Sequence, residues 1–242
     1  MVKATEQWFS ELMQRPLSMA RWGHYGRPVL LFPTAGGDPE EAERNRLLEA
    51  CWDLVEEGRV KIYSCDSTAG RALATGEGTP AYRMWLLNQY HKAVAEEVVP
   101  AIHADLGGQR QRIVGAGSSI GAFNAVALLC RYPDMFDGAI AMSGTFRLQQ
   151  WLDWQFSDDL YFASPLHFVP GLEGPPLETL RQRFVVLASG EGAHESIEES
   201  WAMARVLGAK GIPNRVDNWG PEYIHDWPTW WQMLPKYLRE VC

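Results

Sequence analysis

A five-residue motif, Gly-Ser-Ser-Ile-Gly at residues 117–121, constrains this chain more than any other feature. An apolar run suited to a strand precedes it at 112–116, and a run suited to a helix follows it at 122–129. A sharp turn between a strand and a helix brings backbone atoms so close together that side chains beside them would clash, so glycines flank it. The motif therefore predicts a strand–turn–helix unit that exposes its serine at the end of the strand.

Ser119 is the serine of this G-x-S-x-G pattern, because a glycine stands two residues before it and two residues after it. Ser118 lacks glycines at those offsets. The N-terminus of the following helix favours negative charge at the same place, as a reactive serine requires. Two other interpretations are a dinucleotide-binding turn, which would need its third glycine at Ile120, and a plain Gly/Ser-rich turn with no chemical role.

The composition fits a globular chain and excludes several classes of function. Hydrophobic residues make up 46% of the 242 residues, and a chain of this length can form one full domain, which we assign to 1–242. The net charge of −8 and the lack of Lys/Arg clusters argue against nucleic-acid binding. No apolar stretch approaches the ~20 residues needed to span a bilayer, so we expect no membrane insertion.

The cysteines and the N-terminal residues bear on the compartment. Four cysteines are scattered along the chain without a C-x-x-C pair. The N-terminal residues have no apolar segment of the kind found in secretory leaders. These features predict a cytoplasmic protein with reduced thiols, and they leave the oligomeric state open.

Apolar runs alternate with helix-compatible runs along most of the chain. Strands are expected at 17–22, 28–33, 60–65, 112–116, 138–142, 184–188 and 214–217, helices at 38–57, 80–106, 120–132, 195–210 and 226–240, and a loop at 67–78. This alternation predicts an α/β fold with a mostly parallel central sheet and helices on both faces. Reactive groups in such sheets gather at the carboxyl ends of the strands.

Residues 145–180 interrupt this alternation with a short aromatic-rich insertion. Its aromatic side chains include Trp151, Trp154 and Tyr161. Two interpretations stay open. The aromatic residues line a cap that binds substrate over the edge of the sheet, or they form a satellite core under a long loop.

No cofactor or metal site is expected. Trp227, Trp230 and Trp231 share one helical face, so we expect them to pack on the sheet rather than line a cofactor site. The histidines and acidic residues lack the spacing of metal ligands.

A histidine that could activate the serine follows the last expected strand. A serine hydroxyl becomes a strong nucleophile when a base takes its proton, and an acid must orient that base. His225 lies between the last strand and the last helix, where a loop can return it to Ser119. His91 lies in the expected long helix, where we expect a surface position.

The order Ser–acid–His along the chain places the acid between residues 121 and 224, after the end of a strand. Glu191 and Glu195 both follow the expected strand at 184–188. Glu195 is far enough beyond the strand to turn back across the site, whereas Glu191 stands between glycines. Glu195 is therefore the preferred acid and Glu191 the alternative.

Two backbone N–H groups are needed to stabilise the oxyanion of an acyl-transfer reaction. One is expected from Ile120, directly after the serine. The other is expected from the glycine-rich loop 33–38, where Thr34 and Ala35 are the candidates.

Four segments of the chain resemble the putative-esterase family of α/β-hydrolases, namely residues 28–37, 117–125, 161–165 and 225–230. The family includes esterase D, feruloyl and enterochelin esterases and the antigen 85 mycolyltransferases. The last segment, His-Asp-Trp-Pro-Thr-Trp, is the most specific and is similar to the His-Ser-Trp-Pro-Tyr-Trp of antigen 85. The resemblance implies an α/β-hydrolase fold and acyl chemistry on a small-molecule ester or thioester.

The resemblance also implies a catalytic triad of Ser119, Glu195 and His225. In antigen 85 the acid is a glutamate beyond the usual strand-end position, which favours Glu195. Esterase D instead has an aspartate where this chain has Ala193, so Glu191 stays open. The implied activity is that of a serine carboxylic-ester hydrolase with an acyl-enzyme intermediate. The alternatives are an acyltransferase with the same triad and a non-catalytic binding or scaffold protein of the same fold.

Overall fold

The central strands are continuous apolar runs, and this determines where they lie in the sheet. The computed structural model of the chain describes residues 2–152 and 156–242. Residues 28–32 and 60–65 are buried throughout, as in strands covered on both faces. Within the described residues, one sheet contains eight strands: β1 (Lys3–Ser10), β2 (Arg15–Trp22), β3 (Arg27–Phe32), β4 (Val60–Cys65), β5 (Ile113–Ser118), β6 (Phe136–Met142), β7 (Phe184–Ser189) and β8 (Asn214–Asn218).

The strand order is β1-β2-β4-β3-β5-β6-β7-β8. β1 and β2 form an antiparallel hairpin, and β2 also pairs antiparallel with β4. All the other neighbouring pairs are parallel. The carboxyl ends of β3 to β8 therefore meet at one edge of the sheet, where the segments that follow them can form a common site.

Helices connect the strands and cover the sheet. Those described are α1 (Glu41–Arg44), α2 (Leu47–Ala50), α3 (Trp52–Glu56), α4 (Thr68–Thr75), α5 (Pro80–Ala93), α6 (Val99–Asp105), α7 (Ile120–Arg131), α8 (Asp158–Ala163), α9 (Pro165–Phe168), α10 (Gly174–Leu180), α11 (Ile197–Ala209) and α12 (Trp227–Val241). A π-helical turn at Val94–Val98 joins α5 to α6. Across residues 2–152 and 156–242, no helix combines the length and apolarity needed to cross a membrane.

Alternate side chains of each central strand enter two different cores. Leu30 and Phe32 of β3 pack with α4 to α7 on one face of the sheet. Val29 and Leu31 pack on the other face with α1 to α3 and with α12. Trp230 of α12 is only 3% exposed in this second core, which confirms the expected packing of that helix on the sheet.

Three expectations about local structure are wrong. The strand β1 is missing from the predicted elements because, as an edge strand, it is mostly exposed and has no apolar run. Helix α4 occupies much of the expected loop at 67–78, since Ala69, Ala72 and Leu73 pack into the core. The expected helix at 38–57 is divided into three short helices, with Arg46 in a left-handed conformation (φ 61°) between α1 and α2.

The described part of the insertion at 145–180 contains α8, α9 and α10. Its side chains Leu152, Leu160 and Val169 are buried, and they belong to the same core as α5 and α7. A large part of the insertion therefore extends the main core.

His91 is completely buried, so the expectation of a surface position is wrong. Its Nδ1 atom lies 3.1 Å from Nη1 of Arg131, and its Nε2 atom lies 3.1 Å from Oδ1 of Asn124. Because a guanidinium group only donates, Nδ1 must accept, and Nε2 carries the proton that is donated to Asn124. Burial and the nearby charge of Arg131 lower the pKa of His91 to about 3.

The buried His91 predicts a loss of stability in acid. Its folded pKa lies below the ordinary value of 6.5, so the unfolded chain binds a proton that the folded chain does not. The stabilisation is fully present above the unfolded pKa and is lost as the pH falls toward the folded pKa. We expect this group to lower the free energy of unfolding by up to about 1.4 kcal/mol per pH unit in that range.

Urea denaturation at a series of pH values measures this slope. The variant His91→Gln keeps one hydrogen-bond donor and one acceptor but cannot titrate, so its slope should be shallower by the same amount. Identical slopes for the two proteins would contradict the assignment.

Candidate active site

Ser119 occupies a sharp turn between β5 and α7, at the carboxyl edge of the sheet. Its backbone has φ 58° and ψ −121°, a conformation that residues other than glycine rarely adopt. The N–H of Ser119 donates to the carbonyl of Met142 (3.0 Å), and the carbonyl of Ser119 accepts from the N–H of Thr145 (3.3 Å). The end of β6 and the residues after it therefore hold the strained turn in place.

Gly117 and Gly121 are needed because backbone segments touch at their positions. A Cβ atom on Gly117 would lie 2.4 Å from the carbonyl carbon of Gly121. A Cβ atom on Gly121 would lie 2.3 Å from the carbonyl oxygen of Phe32 and 2.8 Å from that of Pro33. The first turn of α7 rests directly on the end of β3, which is the steric reason for the glycines of the motif.

His225 and Glu195 lie together at the same edge of the sheet. Nδ1 of His225 is 3.6 Å from Oε2 of Glu195. The Glu195 side chain is 1% exposed and the His225 side chain is 23% exposed, so a buried carboxylate lies against an imidazole that solvent can reach. The Ser119 hydroxyl makes no hydrogen bond to the described residues. A hydrogen bond between a reactive hydroxyl and its general base often forms only when substrate is bound.

Two loops pair with each other to bring the histidine to the carboxylate. The N–H groups of Glu191 and Gly192 donate to the carbonyls of Gly220 and Tyr223 (both 2.9 Å), and the N–H of His225 donates to the carbonyl of Ala193 (3.0 Å). Gly190 and Gly192 permit this approach, because Cβ atoms on them would lie 2.1 and 2.6 Å from the Tyr223 carbonyl oxygen. The glycines around Glu191 therefore serve the contact between the loops.

Glu195 and Glu191 have different surroundings. Oε1 of Glu195 accepts from the hydroxyl of Ser143, and Oε2 accepts from the hydroxyl of Ser189 at 3.1 Å. Glu191 is exposed and accepts from the side-chain amide of Asn218 at 3.0 Å. The Glu195 carboxylate therefore contacts His225, whereas the described side-chain contact of Glu191 is with Asn218.

Sequence reasoning missed Ser143. The residue directly follows β6, the strand next to the Ser119 turn, and it is 3% exposed. Its position at the end of an expected central strand, followed by a glycine, is a signal that could have identified it. Its contact with Glu195 depends on the length of the loop after β7, which the pattern of residues does not reveal.

The loop after β3 is held by a carboxylate. Glu41 accepts hydrogen bonds from the backbone N–H (2.8 Å) and the hydroxyl (2.6 Å) of Thr34. The Thr34 N–H is therefore already in use, and it cannot donate to an oxyanion while this contact exists. Within residues 2–152 and 156–242, no hydrogen bond engages the N–H of Ala35. Ile120 begins α7, where the first backbone N–H groups have no partner within the helix.

The aromatic residues expected to bind substrate have contacts of other kinds. Trp151 is half-buried against the main core, and its carbonyl accepts from Arg83 at 3.0 Å. Tyr161 packs edge-on against Phe162, with 5.2 Å between the ring centroids. Trp154 lies outside the described residues. None of the described contacts of Trp151 or Tyr161 joins them to Ser119.

The acidic residue adjacent to His225 is already engaged in a hydrogen bond. Asp226, next to His225, caps α12 by accepting from the N–H of Trp227 at 2.7 Å. In the part of the chain that the structure describes, no three His, Cys, Asp or Glu side chains are grouped so that they could hold a metal ion.

The sheet and its serine turn define an α/β-hydrolase fold, which solved structures share. A ferulic acid esterase superposes with a TM-score of 0.73 at 18% identity, covering 99% of this chain and 97% of that chain. An S-formylglutathione hydrolase from Agrobacterium tumefaciens gives 0.73 at 12% identity, covering 98% and 93%. The Mycobacterium tuberculosis protein MPT51 gives 0.68 at 15% identity, covering 100% and 98%. The expected fold class is confirmed.

Residues 39–241 match the family described as "Putative esterase". The chain therefore belongs to this esterase family, and carboxylic-ester hydrolysis is its class of activity. No curated protein sequence matches the chain.

The close contact at Gly121 generates a prediction about stability. Gly121→Ala places a methyl group against two backbone carbonyls that cannot move independently of β3, so we expect the free energy of unfolding to fall by at least about 2 kcal/mol. Chemical denaturation measures this change.

Gly208→Ala provides the matched control, because a Cβ atom on this residue of α11 would have nothing within 4 Å. We expect it to change stability by no more than about 1 kcal/mol, in the stabilising direction. Equal effects of the two substitutions would show that the turn has no steric requirement for glycine.

Proposed function

We propose that this chain is a serine esterase whose catalytic triad is Ser119, Glu195 and His225. The observation that carries the proposal is the 3.6 Å contact between Nδ1 of His225 and the buried carboxylate of Glu195. This pair follows β7 and β8, and the Ser119 turn follows β5, so all three residues belong to the carboxyl edge of one parallel set of strands. An acid, a base and a strained serine turn at one edge are the parts that acyl transfer requires.

The orientation of His225 supports its assignment as the base. Its Nδ1 atom faces Glu195, which accepts but cannot donate when ionised, so Nδ1 carries the proton. Nε2 is then unprotonated and can accept the proton of the Ser119 hydroxyl as that oxygen attacks the carbonyl. The carboxylate of Glu195 stabilises the imidazolium that forms, and His225 returns the proton to the leaving group.

The backbone N–H groups of Ile120 and Ala35 are the proposed oxyanion donors. Ile120 supplies an unpaired N–H at the start of α7, where the helix dipole also favours negative charge. Ala35 replaces Thr34 as the preferred donor of the loop, because Glu41 already accepts from the Thr34 N–H. Glu41 thus has a supporting role in this proposal, since it fixes the loop that carries Ala35.

The proposed substrate is a small-molecule carboxylic ester or thioester, and water resolves the acyl-enzyme. Structural neighbours described as a ferulic acid esterase and an S-formylglutathione hydrolase support this substrate class. Trp151, Trp154 and Tyr161 of the insertion are proposed to contact the substrate. A cytoplasmic location also stays a proposal.

Hydrolysis of short p-nitrophenyl esters tests the function. We expect the purified protein to release p-nitrophenol with turnover, and we expect Ser119→Ala or His225→Ala to lower kcat about 10⁴-fold or more, because each removes an essential part of the triad.

The matched control for the nucleophile is Ser118→Ala. Ser118 is adjacent and 3% exposed, and its hydroxyl has no hydrogen-bond partner among the described residues, so its removal should change kcat less than about threefold. The proposal fails if the wild-type protein hydrolyses none of these esters, or if Ser119→Ala retains wild-type activity. Product formation only with an added alcohol would instead identify an acyltransferase.

A pair of isosteric variants tests the acid. Glu195→Gln removes the buried charge against His225, so we expect kcat to fall about 10⁴-fold, by analogy with amide replacement of a triad aspartate. Glu191→Gln changes an exposed side chain and should lower kcat less than about threefold. A larger loss in Glu191→Gln than in Glu195→Gln would reverse the assignment.

A further inference from the structure

The buried carboxylate of Glu195 depends on donors from neighbouring side chains. An ionised carboxylate at 1% exposure is costly unless hydrogen bonds replace the lost water. The described donors to its two oxygen atoms are the hydroxyls of Ser143 and Ser189, each of which lies at the end of a central strand. Its contact with Nδ1 of His225 is longer, at 3.6 Å.

The contacts of the Ser143 hydroxyl determine which group receives its proton. Nε1 of the Trp230 indole lies 2.9 Å from Oγ of Ser143. An indole N–H can only donate, so Oγ of Ser143 accepts this bond. The one proton of the hydroxyl is then available to Glu195, whose ionised carboxylate can only accept. Trp230 therefore orients Ser143 as a donor to Oε1 of Glu195.

Ser189 differs from Ser143 in this respect. Its Oγ atom lies 3.0 Å from the carbonyl oxygen of Gly190 and 3.1 Å from Oε2 of Glu195. Both partners are acceptors, and the hydroxyl has only one proton to share between them. Of the two hydroxyls, that of Ser143 is therefore the one whose described contacts direct its proton only to Glu195.

The position of Ser143 is also fixed through its backbone. Its N–H donates to the carbonyl of Ala188 in β7 at 2.7 Å, and its φ angle is 48°, in the left-handed region. This conformation makes the chain turn at the end of β6. The turn lies next to the end of β7, from which the chain continues to Glu195. The strain of about 1 kcal/mol or more at such a residue is consistent with a specific task for its side chain.

Trp230 contacts the histidine as well as the serine. The rings of Trp230 and His225 pack edge to face, with 5.3 Å between centroids and 83° between planes. One buried indole therefore contacts the base on one side and, through Ser143, the acid on the other.

We infer that Ser143 and Trp230 are positioning residues that hold the Glu195 carboxylate in the orientation that pairs with His225, an inference that rests on the proposed function. The Ser143 hydroxyl and the Trp230 N–H that orients it act through Glu195. The effect of losing the Ser143 hydroxyl must therefore disappear when Glu195 itself has lost its charge.

A double-mutant cycle on the full chain tests this inference with p-nitrophenyl ester hydrolysis. We expect Ser143→Ala to lower kcat about 20-fold, the effect of losing one hydrogen bond to a buried charged group. KM should change less than about twofold, since the acid acts in the transition state and not in substrate binding. In the Glu195→Gln background, Ser143→Ala should cost less than about twofold more.

Two further variants make the test specific. Trp230→Phe keeps an aromatic side chain but removes the N–H that orients Ser143, so we expect kcat to fall about fivefold with KM unchanged. Ser200→Ala is the control, because Ser200 is also buried, lies on α11, and its hydroxyl has no hydrogen-bond partner in the part of the chain that the structure describes. It should leave kcat within about twofold of the wild-type value. Thermal unfolding of each variant monitors folding.

Each outcome decides the inference. If Glu195→Gln lowers kcat strongly while Ser143→Ala has no more effect than Ser200→Ala, the inference fails and the proposed triad stands. If Ser143→Ala costs the same factor with and without Glu195, it acts by another route and the inference also fails. If Glu195→Gln itself has no effect, the proposed triad fails and this inference fails with it. Should Ser143→Ala not fold, Ser143→Cys carries the same test, since a thiol is a weak donor.

Discussion

The site depends on the contact between α7 and the end of β3, where Gly121 lies against the carbonyls of Phe32 and Pro33. This contact lets the helix begin immediately after β5, and it forces Ser119 into its strained conformation. It also places the first turn of α7, which begins at Ile120, against Pro33 at the start of the loop that contains Ala35. The position of the proposed nucleophile and that of the proposed oxyanion donors therefore have the same steric origin.

The parallel strands β5 to β8 supply the other parts of the proposed site. Ser119 and Ser143 follow β5 and β6, and the loops with Glu195 and His225 follow β7 and β8, at the same edge of the sheet. A carboxylate this deeply buried is tolerated because hydroxyl groups at neighbouring strand ends donate to it. The proposed catalytic and supporting groups thus follow consecutive strands of a single sheet, as the topology of α/β proteins favours.

Much of this arrangement could be predicted from the sequence, because apolar runs and glycine positions report buried strands and close backbone contacts. The serine turn, most of the parallel sheet and the helix with Trp230 could be predicted in this way. The edge strand β1 could not, since its residues are largely exposed. Contacts between residues far apart in the chain could not be predicted either. Ser143 with Glu195, and His91 with Arg131, depend on loop geometry and helix packing that no local pattern encodes.

The most direct measurement of the central claim is covalent labelling by a fluorophosphonate, which reacts with an activated serine, followed by intact-mass analysis and peptide mapping. We expect one adduct per chain, on Ser119, with no adduct in Ser119→Ala and much slower labelling in His225→Ala. Ser118→Ala should label like the wild-type protein. An unreactive wild-type protein, or an adduct at any residue other than Ser119, would contradict the account.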